Sequence, residues 1–213
     1  MLLWRLAVAA VASLPFWYAI AGAAGAVDLG VDPGKELTLL LGQVALAGLL
    51  VTLAMTPLRQ LTAWAGWLRV RRQLGLWTFF YATLHGLAFL AFLLGWQWAD
   101  LWREIAERPY VLVGSLAWLG LLPLALTSYK AAMRKLGKRW KTLHQLIYLI
   151  AALALLHMLW VVRADMTQWL LYALPAALLL AWRVPAVSAW IVAWRGPMKK
   201  TRKKQLTAKM PSL

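Results

Sequence analysis

The 213 residues include no cysteine, which excludes disulfides, cysteine-ligated iron–sulfur clusters, thiolate haem ligation and thiol catalysis within the chain. Acids are nearly as scarce, seven Asp and Glu against 23 Lys and Arg, and histidine is rarer still at three residues. Any redox chemistry must therefore run through a bound cofactor. What is abundant is apolar: 63% of positions are hydrophobic and the mean hydropathy is +0.66. Several apolar stretches reach the roughly 20 residues that a membrane-spanning helix needs. The chain reads as an all-α, polytopic membrane helix bundle.

Six spans are expected, at about 4–24, 37–58, 73–95, 109–129, 142–162 and 168–190. No long linker, repeat or low-complexity segment is apparent before the end of the bundle, so residues 1–195 read as one domain and 196–213 as a basic tail held against anionic lipid. The first span resembles a signal peptide, with Arg5 before an apolar run and small residues from Ala21 to Ala26. Its run is longer than the usual h-region of about 7–15 residues, so a retained helix is the expectation.

In a soluble protein the net charge of +16 would point to nucleic acid; here its distribution decides otherwise. Basic residues gather at 59–72 (Arg59, Arg69, Arg71, Arg72), at 130–141 (Lys130, Arg134, Lys135, Lys138, Arg139, Lys141) and in the tail. All seven acids, Asp28, Asp32, Glu36, Asp100, Glu104, Glu107 and Asp165, fall on the other side. The positive-inside rule then places both termini in the cytoplasm and assigns the basic residues to topology and lipid contact, with no nucleic-acid partner.

The three histidines, His85, His144 and His157, all lie in or at the mouth of apolar segments, where ionisable groups are rare and functional by default. His85 and His157 are expected at a similar depth, toward the outer side, on two different spans. Two neutral imidazoles facing each other at one depth suit the axial positions of a b-type haem in a bundle core. The alternative is a core histidine bonded to a carbonyl. His144 lies 157 − 144 = 13 residues before His157, about 20 Å along one predicted helix, at the inner boundary. It reads as a ligand of a second haem or as a carbonyl-capped, headgroup-facing residue. The position 13 residues before His85 is Arg72, so the pattern supplies no partner ligand.

Arg183 interrupts the sixth span near its inner end, between Pro175 and Pro185; it reads as a snorkelling side chain or as a contact to an anionic cofactor. Trp96, Trp98 and Trp102 near one boundary and Trp64, Trp67 and Trp140 near the other form the expected aromatic belts. Trp77, Tyr81 and Trp160 are assigned to packing, with stacking on a cofactor as the alternative.

Several blocks carry a family resemblance: Arg71-Arg72-Gln73-Leu74-Gly75-Leu76-Trp77, Thr83-Leu84-His85, Arg108-Pro109-Tyr110, Lys135-Leu136-Gly137-Lys138-Arg139-Trp140-Lys141-Thr142-Leu143-His144, and His157. In this order, over roughly residues 30–165, they resemble the MsrQ (formerly YedZ) family, haem-binding membrane subunits of bacterial periplasmic methionine sulfoxide reductase systems. The resemblance implies a ferric-reductase-like transmembrane domain in the bacterial inner membrane, with haem b, one or two copies, and FMN as cofactors. It also implies an electron donor, the quinone pool or a cytosolic flavin reductase, and an acceptor, the periplasmic molybdopterin subunit MsrP, which carries out the sulfoxide reduction. His85, His144 and His157 match the family's histidines and, with Arg71 and Arg72, are the implied cofactor-binding residues; the histidines are the implied iron ligands. The larger ferric reductases and NADPH oxidases have a fourth haem histidine and a cytosolic NADPH- and FAD-binding domain, and neither is present here.

Two other classes compete. A proton-relay transporter would carry intramembrane acids or broken helices, whereas every acid lies outside the expected spans. A cofactor-free membrane anchor explains the acidic outer loops but not the buried histidines.

Overall fold

A computed structural model of the chain describes residues 2–162, 165–184 and 187. Its helices are α1 (Leu2–Ala23), α2 (Pro33–Thr62), α3 (Gly66–Ala88), α4 (Trp98–Glu107), α5 (Pro109–Leu126), α6 (Lys130–Leu136), α7 (Lys138–His144), α8 (Leu146–Val162) and α9 (Met166–Ala181), and among the described residues there is no strand. Five segments are long and apolar enough to cross a membrane: Leu2–Ala23, Pro33–Thr62, Gly66–Leu93, Pro109–Leu126 and Lys138–Val162. Met166–Ala181 is a shorter apolar helix at the position of the sixth span. The remainder of that span and the 196–213 tail lie outside the described residues.

Helix boundaries follow local chemistry. Asp32 accepts from Lys35 N at 3.1 Å and Pro33 opens α2, a side-chain cap followed by a residue that has no N–H to satisfy. Ala63, at φ 58°, ends α2 in the left-handed conformation and donates its N–H to Arg59 O. Asp165 caps α9 through Gln168 N at 3.1 Å.

The basic stretches are helical rather than loops. Arg59 is on α2, Arg69, Arg71 and Arg72 are on α3, and 130–141 forms most of α6 and α7. Backbone hydrogen bonding continues past the apolar stretch, because a helix satisfies its own polar groups in lipid and in water alike. The fifth span, Lys138–Val162, carries His144 and His157 together with a one-residue irregularity at Gln145, which keeps right-handed dihedrals (φ −71°, ψ −18°) between α7 and α8.

Two helix pairs make the tightest contacts, α2 with α3 and α5 with α8, and glycines explain why. A Cβ on Gly48 would lie 2.9 Å from Thr78 Oγ1, and one on Gly120 would lie 2.9 Å from Ile150 Cγ1. Small residues let backbones approach where lipid provides no hydrophobic drive. The two pairs are copies of each other, offset by 72 residues (120 − 48, 150 − 78). Leu40-x-Gly42-x-x-Ala45-x-x-Gly48-Leu49-Leu50 recurs as Leu112-x-Gly114-x-x-Ala117-x-x-Gly120-Leu121-Leu122. This internal repeat corrects the reading of an unrepeated chain; apolar helices share so many letters by chance that only the contacts single out the glycines. One core cluster, including Leu49, Leu53, Leu121, Ile150 and Ala151, joins the pairs.

α1 lies at the edge of the bundle and is held to α3 by polar contacts. Tyr81, itself buried, donates its hydroxyl to Ala12 O at 2.5 Å and accepts from Phe16 N at 3.1 Å. Trp4 donates to Gly66 O at 3.2 Å and meets Trp64 and Trp67 edge-on. Trp77 stacks on Tyr81, which places both in packing. Tyr81→Phe is expected to lower the unfolding midpoint in detergent, at a cost of about 1 kcal/mol. An unchanged midpoint would show that α1 does not depend on this tether.

Candidate functional site

The repeat ends in the same residue twice. His85 sits on α3 and His157 on α8, again 157 − 85 = 72 positions apart, and the two rings face each other. Their centroids are 6.0 Å apart and their planes cross at 80°. His85 Nδ1–H donates to Thr38 O at 2.8 Å, and His157 Nδ1–H donates to Tyr110 O at 2.7 Å. Thr38 and Tyr110 obey the offset too (110 − 38 = 72).

Glycine again makes the room. A Cβ on Gly42 would lie 3.0 Å from His85 Nδ1 and Cε1, and one on Gly114 would lie 2.7 Å from His157 Nδ1. Each ring thus lies against a glycine and bonds the carbonyl one turn before it on the same helix. A carbonyl can only accept, so the proton is on Nδ1 in both rings and each Nε2 keeps its lone pair. Histidine ligands of metals usually show this arrangement, with the other ring N–H held by a carbonyl or carboxylate.

The pair lies toward the acidic end of the bundle. Thr38 and Tyr110 are near the starts of α2 and α5, and α4, with Asp100, Glu104 and Glu107, precedes α5 directly. Glu104 pairs with Arg108 at 2.9 Å, and Arg108 donates to the Tyr110 hydroxyl at 2.9 Å. Tyr110 and the neighbouring carboxylates hold the Arg108 guanidinium above its ordinary pKa, so it stays charged. A run of contacts therefore joins the surface of α4 to the carbonyl that orients His157. Just beyond His85 the helix widens into a π-helical turn, Phe89–Leu93, an irregularity common near functional sites.

His144 is apart from this pair, at the basic end. Its Nδ1–H donates to Trp140 O at 3.1 Å, its ring stacks on Trp140 with centroids 4.0 Å apart, and the Leu124 main chain lies close to the ring as well. Arg71 lies within electrostatic reach of His144 and is half-buried. Arg72 is exposed and donates to Ser128 O at 3.3 Å. Among the described residues, no group of three or more His, Cys, Asp or Glu side chains could hold a metal ion.

The sequence reading missed Thr38, Gly42 and Gly114, and it quoted Tyr110 only within the Arg108-Pro109-Tyr110 block, without a role. Two act through backbone carbonyls that any residue supplies, and two through an absent side chain. The one signal that would have found them is the 72-residue offset.

The helical membrane bundle that holds these paired imidazoles is of the ferric reductase-like transmembrane class. Residues 41–155 match the profile of that class, the ferric reductase like transmembrane component. The chain is also 51% identical, over 160 residues, to the protein-methionine-sulfoxide reductase heme-binding subunit MsrQ of Xanthomonas campestris pv. campestris (strain B100). That match covers 75% of this chain and 73% of the relative. The chain belongs to the MsrQ family.

Proposed function

We propose that this chain is a membrane b-type cytochrome subunit in which His85 and His157 would together hold one haem b. The observation that carries the reading is the facing of the two rings, 6.0 Å between centres, with both Nδ1 atoms committed to carbonyls. Two imidazole–metal bonds of about 2 Å each, with the ring radii added, set ring centres about 6 Å apart, so the residues fit the group. When bound, haem supplies one-electron chemistry at a potential tuned by its ligands and its burial. The chain's own part is to fix both tautomers, to orient the rings through Thr38 and Tyr110, and to keep bulk water away from them.

His144, half-buried at the basic end, would be the ligand of a second haem there. Arg71 beside it is suited to a cofactor carboxylate or to the phosphate of FMN. Arg72, bonded to Ser128 O, acts as a tether between α3 and the connection after α5. Electrons enter at the basic, cytoplasmic end from the quinone pool or from a cytosolic flavin reductase. They leave at the acidic, periplasmic end to the molybdopterin subunit MsrP, so the catalysis of sulfoxide reduction belongs to that partner. The relative's name, a heme-binding subunit of a methionine sulfoxide reductase, supports this division of labour. The orientation with both termini cytoplasmic rests on the charge asymmetry, and the bacterial inner membrane on the resemblance to MsrQ.

The test is a visible spectrum of the protein purified from haem-replete cells. A Soret band that sharpens and shifts under dithionite is expected; its absence would overturn the reading and leave the anchor or transporter alternatives.

A further inference from the structure

Arg108 belongs to the Arg108-Pro109-Tyr110 block and stands at the joint between α4 and α5. Its backbone serves both helices: its N–H donates to Glu104 O at 2.9 Å and its carbonyl accepts from Val111 N at 2.9 Å. The extended dihedrals this joint needs, φ −115° and ψ 100°, are those that a following proline enforces. The side chain repeats the bridge. Nε pairs with Glu104 at 2.9 Å and Nη1 donates to the Tyr110 hydroxyl at 2.9 Å. The Glu104 side chain is only 12% exposed, so the acidic end of this ion pair is held against the bundle. Tyr110 in turn meets His157 twice, through its carbonyl on Nδ1 and through its ring, whose centre lies 6.3 Å from that of the imidazole.

The other half of the repeat lacks this device. At the same offset Arg108 becomes Glu36 (108 − 72) and Glu104 becomes Asp32 (104 − 72), two acids that cannot pair. Thr38, in the place of Tyr110, turns its hydroxyl back onto its own helix, to Gly34 O at 2.8 Å. The two imidazoles are therefore held alike at Nδ1 and differently beyond it. A guanidinium bonded through two of its nitrogens fixes the groups it joins, and a ligand ring is set by the contacts behind it. An exposed ion pair adds little to stability, so the effect belongs to the ring rather than to the fold as a whole. We propose that Arg108 is a positioning residue for His157, acting through the Tyr110 hydroxyl, with no counterpart behind His85 among the described residues. The inference deepens the haem reading, on which the use of a well-set imidazole rests; the contacts themselves do not depend on it.

The test is nuclear magnetic resonance of the full-length protein in detergent under dithionite, with isotope-labelled histidine. The chain has three histidines, so each imidazole is assigned from the resonances lost in His85→Ala and His144→Ala. In Arg108→Ala the His157 Nδ1–H is expected to shift upfield, as a proton in a weaker hydrogen bond does, and to exchange with water about tenfold faster. The His85 Nδ1–H is expected to stay where it is in the wild type. Tyr110→Phe keeps the carbonyl, the ring and the Glu104–Arg108 pair; it is expected to reproduce the change at His157, and the double variant to add nothing to it. Arg103→Ala, which removes the exposed pair with Asp100 on α4, is expected to leave both resonances unmoved. Equal changes at His85 and His157, no change at either, or a change in Arg108→Ala that Tyr110→Phe does not share would overturn the assignment. The Soret band is read on the same samples. A protein without the band that still shows the selective change at His157 leaves the role of Arg108 standing while the haem reading falls.

Discussion

His85→Ala and His157→Ala are each expected to abolish the same low-spin haem signal, and the double variant is expected to be no worse than either single one. The reasoning is that of a shared bond. If both imidazoles hold one haem, removing either Nε2 would remove the whole signal, and effects within one unit do not add. The symmetry of the supporting contacts, 2.8 Å to Thr38 O and 2.7 Å to Tyr110 O, gives no reason for the two variants to differ. His144→Ala is expected to leave this signal in place, because its ring is at the opposite end beside Trp140. The checks are haem stoichiometry and the oxidised and reduced spectra of each variant. Unchanged haem content and spectra in both His85→Ala and His157→Ala would refute the pairing. Loss of one haem in His144→Ala would establish a second site.

The second large effect is expected from adding a single methyl group. In Gly114→Ala the new Cβ would lie 2.7 Å from His157 Nδ1 and 2.8 Å from Cε1, closer than unbonded atoms tolerate. The ring has to swing off Tyr110 O, or α5 and α8 have to part. Overpacking of this kind costs about 1–3 kcal/mol, and a tilted or unbonded imidazole is a poorer ligand. We expect partial conversion to a high-spin spectrum and a changed haem midpoint potential. Gly42→Ala is expected to do the same more mildly, since its Cβ would lie 3.0 Å from the His85 ring. Gly86→Ala is the control: it adds the same methyl next to His85 in the chain but meets nothing within 4 Å. If Gly114→Ala and Gly86→Ala give the same spectrum and potential, the glycines do not set the ring positions.

Much of the architecture was legible because membrane helices announce themselves by length and apolarity, and the depth of His85 and His157 followed from counting residues along spans. The basic connections were not legible as helices. Charged residues such as Arg69 and Lys138 mark the edge of the hydrocarbon, not the end of hydrogen bonding, so hydropathy and helix boundaries part company there. The one-residue irregularity at Gln145 was equally hidden, since neither proline nor glycine marks it. The repeat escaped for a different reason. Its conserved content is mostly glycine and leucine, which carry little information in a chain this apolar, and its functional acceptors are main-chain oxygens. Arg183 shows the same limit: its partner is Leu53 O, a carbonyl freed by Pro57 on a helix far away in sequence, and only the fold brings the two together.

The crossing of the two imidazole planes has an electronic meaning. A haem held by His85 and His157 would meet two imidazole π systems turned 80° from each other rather than parallel. The angle itself is set by two backbone carbonyls, so the spectrum of a bound group would report on how the two copies of one helix pair are set against each other.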